Sequence, residues 1–249
     1  MEKYVTVRFY AELNDFLPSE RRQIPFQCYF SGQPAVKDLI ESLGVPHTEI
    51  DLILSNGQSV DFFYKVRHKD FISVYPVFES LDISPVMRLR PAPLREPRFV
   101  LDTHLGKLTS YLRMLGFDAL YHNKFSDEVL ARISAEEKRT LLTRDRGLLK
   151  RSNVVHGYLV RSNDPPSQLL EVLQRFDLHE YINPFKRCLL CNEELKVTSK
   201  EEVEQKLPQK VKEYFNEFYF CLGCGKVYWK GSHYERMRKF IHQIQNMRT

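Results

Sequence analysis

The pattern of hydrophobic and polar positions divides the chain into three predicted segments, and the first covers residues 1–80. Alternation with a period of two predicts strands, and apolar residues recurring every three or four positions predict a helix. The predicted order is a strand at 4–10, a strand at 22–30, a helix at 36–43, and strands at 50–54 and 71–77. Asn56-Gly57 predicts a tight turn after the third strand. This order of elements is that of a small β-grasp domain.

A stretch rich in proline and arginine follows at residues 81–97. Its prolines favour extended conformations and disfavour a regular element: Pro85, Pro91, Pro93 and Pro97. We interpret this stretch as a linker. Its arginines are either solvated or in contact with phosphate.

The second segment, residues 98–183, alternates strands with helices. Strands are predicted at 98–101, 118–121, 139–143 and 154–160, and helices at 105–115, from 126 onward, and at 165–176. Alternation of this kind predicts a parallel α/β sheet with helices on its faces. The third segment, residues 184–249, contains two cysteine pairs and ends in a basic helix from about His233. The predicted fold class is therefore a multidomain combination of α/β and α+β.

The overall composition is ordinary, but the charge is unevenly placed. Hydrophobic residues make up 43% and charged residues 28% of the chain, which excludes collagen-like, fibrous and wholly disordered proteins. The net charge is +5, and residues 225–249 alone hold six basic residues against one acid, so the rest of the chain is neutral. Such asymmetry suggests a polyanionic partner.

The sequence also predicts where the protein works. Charged Glu2 and Lys3 follow Met1 in place of an apolar signal region, and no run approaches the roughly 18 apolar residues that span a bilayer. We therefore expect a cytoplasmic protein without a membrane partner, and the oligomeric state is not predicted.

Four of the five cysteines form two tight pairs, Cys188/Cys191 and Cys221/Cys224. A gap of two residues lets one turn present two thiolates to one ion, and two such turns complete a tetrahedron. We predict a closed, structural Zn²⁺ site. A disulfide pair is disfavoured by the cytoplasm and an iron–sulfur cluster by the spacing. Cys28 stands alone and is expected to be a buried apolar residue.

Acidic residues follow two predicted strands of the central segment. Asp102 and Asp145 each come just after a strand, where parallel sheets bind ligands, and either Asp127 or Glu128 begins a helix on the same side. Clustered carboxylates favour Mg²⁺ or Mn²⁺, and such metals support phosphodiester hydrolysis. The alternative is that these residues only cap helices and turns. Four basic residues near this edge either steer phosphate or are solvated: Lys107, Arg113, Arg144 and Arg146.

Aromatic and basic residues interleave around the second cysteine pair. The aromatic residues either stack on unpaired bases or form the core of a small zinc module, and the basic residues are expected to bind the phosphates of RNA. The set comprises Tyr219, Phe220, Tyr228, Trp229 and Tyr234 with Lys226, Lys230, His233, Arg236, Arg238 and Lys239.

These motifs together resemble the Mut-seven C-terminal RNase family. The resemblance rests on the segments 99–102, 105–108, 111–118 and 141–148, both cysteine pairs and Tyr228–His233, and it covers about residues 98–242. It implies a PIN-like nuclease fold with a zinc ribbon, metal-binding carboxylates at Asp102, Asp127 and Asp145, and RNA as the substrate.

The first 80 residues resemble the ubiquitin-like β-grasp domain that precedes this module in some bacterial members, and they are similar to sulfur carriers. Sulfur carriers need a free C-terminal Gly-Gly, whereas this strand ends Val74-Tyr75-Pro76 and continues, which argues against sulfur transfer. We expect the β-grasp domain to recruit a protein partner or to position the substrate. The predicted function is a metal-dependent ribonuclease, and the alternative is a non-catalytic RNA-binding or adaptor protein.

Overall fold

The structure of the protein is a computed structural model that describes residues 2–76, 89 and 97–247. Apart from Leu89 and Pro97, the predicted linker at 81–97 lies outside the described residues. The described residues form two compact units. One comprises those within 1–95 and 126–159, and the other those within 96–125 and 160–249. The first unit therefore contains both the N-terminal domain and part of the central segment.

The N-terminal domain is the predicted β-grasp. Its elements are β1 (Lys3–Phe9), β2 (Phe26–Phe30), α1 (Val36–Ser42), β3 (Ile50–Ser55), β4 (Gln58–Val60) and β5 (Phe71–Pro76). The strands are ordered β2-β1-β5-β3-β4, and β1 runs parallel to β5 while the other pairs are antiparallel. Both Asn56 and Gly57 have positive φ, as the predicted tight turn requires. β2 begins only after Pro25, since proline has no N–H to donate to a ladder.

The central segment contains four strands and four α-helices within the described residues. They are β6 (Arg98–Leu101), α2 (Gly106–Met114), β7 (Asp118–Tyr121), α3 (Asp127–Glu136), β8 (Thr140–Thr143), α4 (Arg146–Leu149), β9 (Gly157–Leu159) and α5 (Pro165–Arg175). β6 pairs in parallel with β7, and β8 pairs in parallel with β9. The predicted parallel α/β architecture is confirmed. β9 is shorter than the predicted strand because Val154 instead closes a turn onto Arg151.

Polar caps and one glycine set the ends of the central helices. Ser126 accepts the N–H of Val129 at the start of α3, and Asp164 accepts that of Ser167 at the start of α5. Gly116 follows α2 with φ of +95°, and a Cβ at this position would collide with the carbonyl of Asn183. Only glycine therefore fits at the turn from α2 to β7.

The C-terminal region is a small α+β module. Its elements are β10 (Leu195–Thr198), α6 (Lys200–Val203), α7 (Gln209–Tyr214), β11 (Phe218–Cys221), β12 (Val227–Trp229) and α8 (Ser232–Asn246). The strands form an antiparallel sheet in the order β10-β11-β12. One face covers a core of Val203, Leu207, Phe218 and Val227. Phe220 and Trp229 pack against this core, so the core interpretation holds for these two aromatic residues.

Polar contacts join the β-grasp domain to residues 126–159 within the first unit. Nε2 of His47 donates to the carbonyl of Val154 at 2.9 Å, and the carboxylate of Glu49 accepts the N–H of Leu159 in β9 at 2.8 Å. Glu49 is only 1% exposed. Since a buried, unmade hydrogen bond is costly, these contacts make the β-grasp domain part of the structure around β9.

Among the described residues, no helix combines the length and apolar character that crossing a membrane requires.

Candidate functional site

The four paired cysteines converge on one point of the C-terminal module. The Sγ atoms of Cys188, Cys191, Cys221 and Cys224 all lie within 4.8 Å of one another, and each thiol is free of a disulfide. Sγ of Cys191 lies 3.2 Å from that of Cys221, and Sγ of Cys188 lies 3.6 Å from that of Cys224. A tetrahedral ion with Zn–S bonds of about 2.3 Å needs sulfur atoms about 3.8 Å apart. The donor set and spacing therefore fit a metal such as zinc.

The two cysteine turns share one backbone geometry. Asn192 and Gly225 follow the second cysteine of each pair, and their φ angles are +75° and +73°. The N–H of Asn192 donates to the carbonyl of Cys188 at 3.0 Å, and that of Gly225 donates to the carbonyl of Cys221 at 2.9 Å. Both residue types tolerate the left-handed conformation that a tight metal-binding turn needs, and both adopt it here. Each turn thus holds its two thiols on the same side of the chain.

Arg113 of α2 supports the first cysteine turn. It is 3% exposed, and its guanidinium donates to the carbonyls of Ala119, Leu189 and Leu190 at 2.8, 3.1 and 2.7 Å. Leu189 and Leu190 are the residues between the first two cysteines. A buried guanidinium that is already bound to three carbonyls has no access to phosphate. This position corrects the prediction of Arg113 as a phosphate-steering residue.

Asn192 fastens the same turn to β7. Its side-chain amide donates to Asp118 at 2.7 Å, and its side-chain oxygen accepts the N–H of Ala119 at 2.9 Å. Asn192 therefore combines a left-handed backbone with two side-chain hydrogen bonds. Together with Arg113, it holds the candidate metal centre against α2 and β7.

Tyr228 stabilises one thiolate. Its hydroxyl lies 3.1 Å from Sγ of Cys188 and accepts the N–H of Leu189 at 3.2 Å. Burial raises the pKa of the Cys188 thiol, but hydrogen bonds from Tyr228 and from the N–H groups of Cys191 and Leu190 outweigh it and lower the pKa to about 6. The thiolate, which is the form that binds metal, is thereby favoured at Cys188 near neutral pH.

Asp102 and Asp145 both end a strand and begin a helical turn. Asp102 follows β6, is 7% exposed, and accepts the N–H and hydroxyl of Thr103 through Oδ1. Asp145 follows β8, is exposed, and accepts the N–H of Gly147 through Oδ1 at 2.7 Å. Both aspartates therefore cap a helical turn, as the alternative interpretation of these residues predicts. A cap occupies Oδ1, and a carboxylate can also ligate a metal through Oδ2.

Asp127 and Glu128 begin α3 and share one cation. Nη2 of Arg151 lies 3.6 Å from the carboxylate of Asp127 and 2.9 Å from that of Glu128. Hydrogen bonds, led by the backbone N–H at the helix start and followed by that from Arg151, lower the pKa of Glu128. Both carboxylates therefore face the same guanidinium, and which of them serves a metal stays a prediction.

The remaining basic residues of the central segment differ in their surroundings. Lys107 lies exposed on α2, and Arg144 is exposed just after β8. Arg146 places its guanidinium 5.1 Å from the ring centre of Phe16 and donates to that residue's carbonyl at 3.4 Å. Arg146 thus also contributes to packing in the first unit. Phosphate contact by these three residues stays a prediction.

The basic residues of the C-terminal module lie at its surface. Lys226, Lys230, His233 and Arg236 are all exposed. Lys230 forms an ion pair with Glu217, and this hydrogen bond raises the pKa of the lysine. α8 carries His233 and Arg236, and it packs on α2 through Tyr111 and Phe240, whose ring centres lie 4.8 Å apart. This packing gives the exposed cations of α8 a fixed support.

Comparison with known families identifies the chain. A family model described as the Mut7-C RNAse domain matches residues 97–241. The chain belongs to the Mut7-C RNAse domain family. A second model, described as Mut7-C ubiquitin, matches residues 2–82. A search of curated proteins and a search of solved structures each returned no significant match.

The Mut7-C match spans both the central strands and the candidate metal centre, and the resemblance seen in the sequence is confirmed. It supports a function of the nuclease type. Arg113 and Tyr228 both lie within the matched residues, although pattern reasoning did not predict their contacts with the cysteine turns. No local signal marks Arg113, because its partners Leu189 and Leu190 lie more than 70 positions away in the chain.

Proposed function

We propose that this Mut7-C protein is a divalent-metal-dependent ribonuclease that works in the cytoplasm. The match of an RNase family model to residues 97–241 carries the proposal. Asp102, Asp127 and Asp145 would hold Mg²⁺ or Mn²⁺, since hard divalent ions favour carboxylate oxygens. The metal would activate water and stabilise the departing oxygen of the cleaved phosphodiester.

RNA binding is assigned to the exposed basic residues. Lys107, Arg144 and Arg146 would steer phosphate towards the carboxylates, while Lys226, Lys230, His233 and Arg236 would hold the strand beside the C-terminal module. The net charge of residues 225–249 supports this assignment, because cations that neutralise phosphates supply sequence-independent affinity. In this proposal Zn²⁺ is structural and occupies the four cysteines.

The β-grasp domain would recruit a protein partner or position the RNA. Its exposed apolar side chains, which include Tyr29 and Phe63, offer a surface for such a contact. Its hydrogen bonds to β9 support a structural contribution as well.

Hydrolysis of labelled single-stranded RNA with Mn²⁺ tests the ribonuclease proposal. Wild type is expected to cleave, and the full-length Asp102→Asn/Asp145→Asn variant is expected to lose about 10³-fold or more, since removing charges that hold a catalytic metal abolishes its activation of water. Zinc content and the melting temperature of both proteins are the controls for folding. If both proteins bind RNA and leave it intact with every divalent metal, the ribonuclease proposal is wrong.

A second candidate is a non-catalytic RNA-binding or adaptor protein. The contact of Arg151 with both Asp127 and Glu128 favours it, because a guanidinium already balances these charges. The Arg151→Gln variant separates the two candidates. If the arginine competes with metal, the variant should gain affinity for Mn²⁺; if the acids serve only packing, its metal affinity should not change.

A further inference from the structure

A cavity of about 390 Å³ lies in the C-terminal module beside the candidate metal centre. Its walls come from one face of the antiparallel sheet, from the segment 183–187, and from the first turns of α8. The volume falls in the range of small-molecule sites, about 300–1,000 Å³. The ribonuclease assignment gives this cavity no role.

The sheet face of the cavity is built by strand register. Val197 of β10 pairs with Tyr219 of β11, and Tyr219 pairs with Tyr228 of β12, so the three side chains form one row. The opposite face carries Phe218 and Val227 into the core. The side chains of this row therefore lie outside the hydrophobic core of the module, and Val197 is 81% exposed.

Aromatic side chains also form the facing wall. Phe185 and Tyr234 line the cavity, and their ring centres lie 4.5 Å apart. A flat ring that enters this space meets aromatic surface from the sheet and from α8. Aromatic faces bind nucleobases by stacking, and this stacking tolerates any sequence because every base has a π-face.

Cations line the same cavity. Lys186, Arg187 and Lys230 are among its residues, and each also pairs with Glu194 or Glu217. Nε of Arg187 is buried and has no hydrogen-bond partner among the described residues. An apolar peptide side chain would not match the cations that line this cavity. A nucleotide supplies acceptors on its base edge and phosphates for the lysines.

We propose that this aromatic cavity binds one unpaired nucleobase of an RNA strand. The inference rests on the proposed function, since it takes RNA to be the substrate. The base stacks against Tyr219 and Tyr228, and the flanking phosphates follow the basic surface of α8. A base held in a duplex cannot enter, so the cavity selects single-stranded segments.

Trp229 is the single tryptophan of the chain and is among the residues that line the cavity, and its ring packs on the adjoining core, so its fluorescence reports binding from beside the site. The experiment uses the full-length, zinc-loaded Asp102→Asn/Asp145→Asn protein, so that RNA is not cut during titration. Single-stranded RNA of about ten nucleotides is expected to change the tryptophan fluorescence saturably. An abasic strand of equal length is expected to bind about tenfold more weakly and to leave the fluorescence nearly unchanged.

A variant pair tests the stacking wall. Tyr219→Leu keeps an apolar side chain on the sheet and is expected to weaken RNA binding about tenfold. Tyr214→Leu is the matched control, because Tyr214 is 77% exposed on α7 and does not line the cavity. Zinc content and melting temperature verify that both variants are folded.

Three results would overturn the proposal: equal affinity for the abasic strand, unchanged binding by Tyr219→Leu, or a free nucleoside monophosphate binding as tightly as the strand. The last result would reassign the cavity to a free nucleotide. Failure of the ribonuclease proposal looks different, because RNA would then stay uncut by the wild type while the fluorescence change persists. If the wild type cleaves RNA but the abasic strand binds as tightly as the intact strand, only the cavity proposal is wrong.

Discussion

The four cysteines of the two turns predict how much metal the protein binds. Four Sγ atoms lie within 4.8 Å of one another, whereas Cys28 lies alone in the β-grasp core. We expect one zinc per chain by elemental analysis, and we expect Cys221→Ser to lose it and to unfold the C-terminal module, since structural zinc sites supply folding free energy. Cys28→Ser is the matched control and should keep its zinc. Full zinc content in Cys221→Ser would contradict a four-cysteine site.

Residue chemistry also explains which parts of the candidate site could be read from the sequence. The spacing of the cysteines is local, so it predicts the two turns, in which Asn192 and Gly225 have positive φ. The role of Arg113 depends on where residues 189 and 190 come to lie, more than 70 positions away in the chain. No local pattern contains that information. The sequence therefore predicts phosphate contact or solvent exposure for Arg113, whereas its burial gives it a structural task.

At the scale of elements, the 3₁₀ turn His47–Glu49 and the strand β9 form a connection that carries the second prediction. Glu49→Ala leaves the buried N–H of Leu159 without its acceptor, so the free energy of unfolding should fall by about 1–3 kcal/mol. Glu49→Gln keeps an acceptor oxygen and should lose less. Urea denaturation measures both variants. Glu20→Ala, which removes an exposed acid from the same domain, should change stability by less than about 0.5 kcal/mol.

Most elements were predictable because their signals are local. Alternation located β1, and the Ser126 cap located the start of α3. The prediction was too long for β2 and for β9. β2 begins only after Pro25. Val154 lies outside β9 because its carbonyl accepts a hydrogen bond from His47. Residues that bond to another element can look like strand residues in the sequence, and tertiary contacts then decide the boundary.

At the scale of the whole molecule, the described residues do not divide where the domain boundaries were predicted. Residues 126–159 belong to the same compact unit as the β-grasp domain, although the Mut7-C model matches them together with the four paired cysteines. Contacts such as Lys150 to the carbonyl of Glu41 lie inside this unit. β9 is an edge strand of its sheet, and uncovered edges invite pairing with other chains. The N-terminal domain therefore protects part of the nuclease segment.

Deletion of residues 1–80 tests this view and is the last prediction. Without the β-grasp domain, Val154 and Leu159 lose their partners His47 and Glu49, so the truncated chain should be cleaved faster in 126–159 by limited proteolysis and should aggregate. Its zinc content should persist, because the cysteines belong to the other unit. The full-length Glu49→Ala variant should show an intermediate cleavage rate. If the truncated protein instead stays monomeric and as protease-resistant as the full chain, the β-grasp domain is a detachable module. Recruitment of a partner or of RNA would then be its main role, and binding assays on the truncated protein would measure that role directly.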